Sequence, residues 1–281
     1  MKNYWSFFCF FFLSVSIIFG QEIVEKKSTA TSNVSILKKE FIIPELNDIS
    51  HKVWVYLPQN YKSSSKKYPV IYMHDAQNLF DDKTSFVDEW HVDESLNELY
   101  EKTGKGFIVV AVENGGKERN NEYTPWAHEK YGGGKGALYI DFIKNTLKPY
   151  IDTTYRTKTK AKHTALIGSS LGGLISYYGG LKYPNTFGKI GAFSPSFWFS
   201  DKVIDFTIKN GKIKHQKMYI LAGGKEGSGM DTDAIRMFEL LRKTGCSKNN
   251  LKIKINPEGK HNEAFWNQEF QPIIKWLFNI N

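Results

Sequence analysis

Gly168-Ser169-Ser170-Leu171-Gly172-Gly173 stands between the apolar run Thr164-Ala165-Leu166-Ile167 and a stretch of helical period from Leu174 to Lys182. It is a G-x-S-x-G set between a predicted strand and a predicted helix. A nucleophilic serine has to project from a sharp strand-to-helix turn, and glycines two positions to either side let the chain pass without a Cβ clash. Ser170 has that register and Ser169 does not. Spacing alone is weak, because a glycine-rich turn opening a core helix produces the same letters. What decides the reading is the rest of the chain.

Outward from this turn, short β-branched runs alternate with longer segments of helical spacing. The runs are Val53 to Leu57, Val70 to Met73, Phe107 to Val112, Thr164 to Ile167, Met218 to Ala222 and Leu251 to Ile255. Between them, Leu138, Tyr139, Phe142, Ile143 and Leu147 share one helical face, as do Ala234, Met237, Phe238 and Leu241. Such alternation predicts an α/β domain, a mostly parallel central sheet with helices on both faces. The middle runs are continuously apolar, as strands buried on both sides are. Leu251-Lys252-Ile253-Lys254-Ile255 alternates strictly, which places it near a sheet edge with both lysines outward.

An activated serine needs a base to take its proton and an acid to orient the base, and in a sheet of this kind the chain order is Ser, acid, His. Glu226 follows the run Met218 to Ala222, and His261 follows Leu251 to Ile255, so both fall just past the carboxyl end of a strand, where open α/β sheets build their sites. Asp231 and Asp233 compete with Glu226, either being able to cap the helix that follows. His74 and His91 precede the serine, and His215 precedes a strand. The developing oxyanion needs two backbone N–H donors. Leu171 supplies one, and Gln77, in the loop after Val70 to Met73, supplies the other. Trp198, Trp126 and Trp266 are candidate aromatic walls for a substrate pocket.

The termini and the composition bound the rest. Residues 1–20 carry Lys2, a dense apolar run and Gly20 before the polar Gln21-Glu22, the layout of a signal peptide; the alternative is a retained N-terminal anchor. Residues 21–34 read as a polar, flexible lead-in, and 35–281 as one domain without repeats or linkers. Export makes the protein secreted or periplasmic. After cleavage no stretch reaches membrane-spanning length. The net charge of +9 is spread over scattered lysine pairs, which argues for solubility and against a nucleic-acid patch. Of two cysteines, Cys9 lies in the leader and Cys246 stands alone, so no internal disulfide is expected. No zinc-ligand pattern is present, and Gly132-Gly133-Gly134-Lys135 lacks the leading glycine of a phosphate loop, so neither metal nor cofactor is expected.

Five segments together are similar to one family: Tyr72 to Asp81, Arg119 to Pro125, Tyr150 to Thr157, Gly168 to Gly173, and Ser194-Pro195-Ser196-Phe197-Trp198. From about residue 35 to the C-terminus the chain resembles the Putative esterase family of α/β-hydrolases, whose relatives include esterase D, feruloyl esterases, siderophore esterases and mycolyltransferases. The resemblance implies an α/β-hydrolase fold and a catalytic Ser170, Glu226 and His261. It also implies an ester substrate, either a small molecule such as a siderophore ester or a feruloyl or acetyl ester linked to polysaccharide. The family's Asp-Gly pair before the oxyanion donor appears here as Asp75-Ala76. Some siderophore-esterase relatives use a Ser-His dyad, so the acid is the least fixed member. An acyltransferase of the same fold and a non-catalytic binding protein are the rival readings. The sequence leaves the oligomeric state open.

Overall fold

A computed structural model describes residues 26–281 apart from Pro44, Asn47 and Ser228. The leader 1–20 and the start of the lead-in lie outside the described residues. Eight strands form the main sheet: β1 (Val34–Ile36), β2 (Val53–Tyr56), β3 (Val70–His74), β4 (Ile108–Val112), β5 (Thr164–Ser169), β6 (Lys189–Phe193), β7 (Lys217–Gly223) and β8 (Leu251–Asn256). Their order is β1-β2-β4-β3-β5-β6-β7-β8. β1 and β2 join antiparallel and every pairing from β4 to β8 is parallel, as the register Tyr72 to Val110 and to Leu166 illustrates. This is the mostly parallel sheet with helices on both faces that the alternating pattern predicts, and it fits the α/β-hydrolase fold that the resemblance implies.

Period-two alternation divides the core between two faces. Val70, Tyr72, Val110, Leu166, Ile190 and Ile220 face one layer; Ile71, Met73, Val109, Ala165, Ile167 and Leu221 face the other. α1 (Val92–Thr103) and α8 (Glu263–Phe278) cover the second face through Leu96, Leu99, Phe270, Ile273 and Leu277. α2 (Arg119–Tyr123), α3 (Gly136–Phe142) and α5 (Leu171–Lys182) cover the first, together with α6 (Lys202–Asn210) and α7 (Met230–Lys243). Between α3 and α4 (Lys148–Thr154), Ile143–Leu147 makes one π-helical turn, and Tyr139, Phe142, Ile143 and Leu147 are buried as one face. β8 is an edge strand with Lys252 and Lys254 exposed.

Two features differ from the reading of the sequence. β6 was not among the predicted runs: Gly191 and Ala192 dilute its β-branched character, yet it is buried throughout because α5 lies on it. The lead-in is tied down in its described part. Ser28 Oγ donates to Asp81 (2.7 Å), Thr29 Oγ1 to Glu89 (2.5 Å), and Thr31 N–H and Oγ1 to Asp93 (2.8 and 2.6 Å). Its polar composition serves buried carboxylates rather than solvent.

α5 is buried nearly all round, so it packs on the sheet through small residues. A Cβ at Gly180 would stand 2.3 Å from Ile190 Cγ1. Gly to Ala inside a helix normally gains about 1 kcal/mol, but overpacking a core costs about 1–3 kcal/mol. Gly180→Ala is therefore expected to lower stability by about 1 kcal/mol, read as a fall in Tm, with part of the loss recovered by Ile190→Val. A raised Tm would mean that helix and strand are further apart than described.

Candidate active site

The chain leaves β5 at Ser169 and enters α5 at Leu171 through a single residue, Ser170, at φ 57° and ψ −124°. A non-glycine residue in such a conformation persists only where its surroundings hold it. Ser170 N–H donates to Phe193 O (3.0 Å), and its carbonyl accepts from Leu174 N–H and Ser196 N–H (both 3.1 Å). A Cβ at Gly168 would meet Gly172 O at 2.6 Å, and one at Gly173 would meet Phe193 O at 2.7 Å, whereas at Gly172 the contacts are ordinary. The obligatory glycines are thus Gly168 and Gly173. Ser170 Oγ lies 3.4 Å from Ser196 Oγ.

Glu226 and His261 arrive on the turns after β7 and β8. The Glu226 side chain is fully buried; its Oε1 accepts from Gly223 N–H (2.9 Å) and from Ser194 Oγ. Its Oε2 is buried without a hydrogen-bond partner among the described residues and lies 3.5 Å from His261 Nδ1. Trp266 Nε1 donates to Ser194 Oγ (2.8 Å), and its ring meets the His261 imidazole edge-on at 5.1 Å. A chain therefore runs from Trp266 through Ser194 to Glu226 and across to His261. Asn262 caps α8 by accepting from Phe265 N–H (3.1 Å), which fixes the turn carrying His261. Asp231 and Asp233 sit within the first turn of α7, whose N-cap is Gly229, and Asp233 lines a separate crevice with Trp198.

The loop after β3 forms the opposite wall. Asp75, at φ 57°, receives Arg119 Nε (2.7 Å) and Nη2 (2.9 Å) and Asn114 Nδ2 (2.6 Å), while its N–H donates to Tyr123 OH (2.9 Å). Burial would raise the Asp75 carboxyl, but the Arg119 charge and these hydrogen bonds outweigh it and hold it below its usual range. α2, which presents Arg119, is anchored by buried Glu122, paired with His51 Nε2 (2.7 Å) and accepting from Gly115 N–H (2.9 Å). Gln77 follows in a 3₁₀ turn, with its Oε1 accepting from Asn114 N–H (3.4 Å).

Ser170 and His261 open into one cleft of about 610 Å³, with Trp266, Trp90 and Arg119 in its walls and Phe86 at its rim. Of the three predicted aromatic walls only Trp266 is there. Trp126 packs edge-on against Tyr178 and Phe206, and Trp198 meets His128 and Tyr131 edge-on in a surface group. Helical packing and a neighbouring loop claimed both rings. Leu171 and Gln77 do not line the cleft themselves; their chain neighbours Ser170 and Asn78 do. Sequence reasoning missed Ser194, Arg119 and the cleft-lining Glu263, whose carboxyl burial pushes up. The Ser194-Pro195-Ser196 triplet after an unrecognised strand was the available signal.

Behind the elbow, His74 pairs with Tyr139 OH (2.9 Å) through Nδ1 and with Ser176 Oγ (3.0 Å) through Nε2. Burial lowers its pKa to about 4. The folded state therefore stays neutral there while the unfolded chain protonates near 6.5. This stabilising contribution is complete above about pH 6.5 and fades as pH falls toward about 4. Denaturant titrations across that range should show His74→Gln with a shallower loss than the parent; parallel curves would refute the assignment.

The Putative esterase family model matches residues 46–277. The Bacillus subtilis protein YjcH is 30% identical over 255 residues, covering 88% of this chain and 98% of its own. Among solved structures, the BES protein from Bacillus cereus aligns at TM-score 0.70 with 23% identity, over 90% of this chain and 98% of that one. An IroE-like serine hydrolase from Shewanella oneidensis aligns at TM-score 0.72 with 20% identity, over 88% and 80%. Both share the fold.

Proposed function

The chain belongs to the Putative esterase family, and from that membership we propose that it is a serine esterase acting through an acyl-enzyme on Ser170. His261 takes the Ser170 proton as Oγ attacks the ester carbonyl. The backbone N–H groups of Leu171, at the positive end of α5, and of Gln77, each adjoining a cleft-lining residue in the chain, are assigned to hold the tetrahedral oxyanion. On collapse the alcohol leaves with the proton from His261. Water, deprotonated by the same imidazole, then attacks the acyl-enzyme, and the carboxylic acid departs as Ser170 regains its proton.

The observation that carries this reading is the orientation of Glu226: one oxygen is committed to Gly223 N–H and Ser194, and the other faces His261 Nδ1 at 3.5 Å. That arrangement favours the tautomer that leaves Nε2 free to accept a proton, and it stabilises the imidazolium that follows. A cleft walled by Trp266 and Trp90 and rimmed by Phe86 suits an ester with an aromatic or apolar acyl group, with Arg119 at one side for a polar substituent. Export by residues 1–20 would set the enzyme to work on esters outside the cytoplasm, small or polysaccharide-linked. Among the described residues, no helix is long and apolar enough to cross a membrane.

Kinetics on p-nitrophenyl acyl esters and methyl ferulate test the assignment. Ser170→Ala is expected to lose at least about 10³-fold in kcat with the fold retained, and Ser169→Ala much less. Glu226→Gln should lower kcat by about 10²- to 10⁴-fold with KM little changed. If Asp231→Asn or Asp233→Asn cripples turnover while Glu226→Gln stays active, the carboxylate is misassigned; if all three remain active, the site is a Ser170-His261 dyad.

A further inference from the structure

Behind the wall that Asp88 and Trp90 give to the cleft, Glu89 turns the other way into the protein, its side chain 1% exposed. His91, at the N-terminus of α1, brings Nδ1 to 3.4 Å from Glu89 Oε2 and 3.7 Å from Glu94 Oε2. One donor atom from each of the three residues lies within 4.8 Å of the others. Asp93 stands against both glutamates. Among the described residues, three carboxylate oxygens here are buried with no hydrogen-bond donor: Glu89 Oε1, Asp93 Oδ1 and Glu94 Oε2. Among the described residues the ion-pair partner of Glu89 and Glu94 is His91, itself half-exposed.

Buried carboxylate oxygens without partners are expensive, and several in one place call for a cation. Ligands held about 2.0–2.1 Å from a tetrahedral ion are separated from one another by roughly 3.3–3.4 Å, and an imidazole with carboxylates is a borderline donor set of the kind zinc takes. The spacings at His91 are of that size. We propose that Glu89, His91 and Glu94 bind a divalent cation of the zinc class, with Asp93 as a neighbouring acceptor and solvent completing the shell on the open side of His91.

The site is structural in purpose. Thr29 Oγ1 donates to Glu89 and Thr31 to Asp93, so an ion here would tie the chain entering β1 to the head of α1. It would also brace the segment whose alternate residues, Asp88 and Trp90, face the catalytic cleft.

The test uses the full-length protein, stripped with EDTA, exchanged into metal-free buffer and titrated with ZnCl₂ by calorimetry, with thermal melts in parallel. The proposal expects one Zn²⁺ per chain at micromolar Kd or tighter and a rise in Tm. His91→Ala and Glu94→Gln, both at partly exposed positions and so tolerable to the fold, should each weaken binding at least about tenfold, with circular dichroism unchanged. Absence of saturable binding by the parent overturns the proposal, as does undiminished binding by His91→Ala. Ca²⁺ binding as tight as Zn²⁺ also overturns it, because oxygen donors without the imidazole would then be the ligands.

Discussion

The structure depends on how closely α5 lies against β5 and β6. The chain can turn from strand to helix within one residue only because Gly168 and Gly173 leave room for the backbone oxygens of Gly172 and Phe193. That contact forces Ser170 to φ 57° and fixes it there by hydrogen bonds from both sides, to Phe193 on the next strand and to Ser196 beyond it. The same approach requires Gly179 and Gly180 further along the helix, where Ile140, Leu166 and Ile190 fill the space a Cβ would take. A serine held this way stands at the N-cap of a helix, the end where backbone N–H groups lack intrahelical acceptors and the helix carries a partial positive charge.

Everything else at the cleft is arranged around that fixed point by buried polar groups with defined partners. Glu226 is oriented because its other oxygen is occupied, and Ser194, which occupies it, is itself held by Trp266. Across the cleft, Asp75 is held in a left-handed conformation by the bidentate Arg119 contact and by Asn114, so the loop after β3 is fixed by charge where the elbow is fixed by packing. His74 closes the space between them as a neutral, fully paired histidine, acting as scaffold instead of base.

The elbow, the helices and the buried central strands were legible in the sequence because each is encoded locally: glycines at fixed offsets, a period near 3.6, unbroken β-branched runs. The positions of Glu226 and His261 after the last two strands followed from chain order alone. What stayed hidden depends on contacts between distant segments. β6 is a strand because α5 covers it, although Lys189-Ile190-Gly191-Ala192-Phe193 has little strand character. Ser194 matters only through Trp266 and Glu226, each far along the chain. Trp126 and Trp198 look like pocket residues in sequence, but neighbouring aromatic side chains engage them outside the cleft. The Ser and Thr residues of the lead-in read as solvated, since nothing nearby in sequence announces the acids at Asp81, Glu89 and Asp93 that they serve.

The most direct test of the central claim, a single activated serine at the strand-to-helix turn, is covalent labelling with a fluorophosphonate followed by fragment-level mass spectrometry. The account predicts one adduct per folded chain, carried by Ser170, and none on heat-unfolded protein. An adduct on Ser169 or on Ser196, whose hydroxyl lies 3.4 Å from that of Ser170, or no adduct on folded protein, would contradict it.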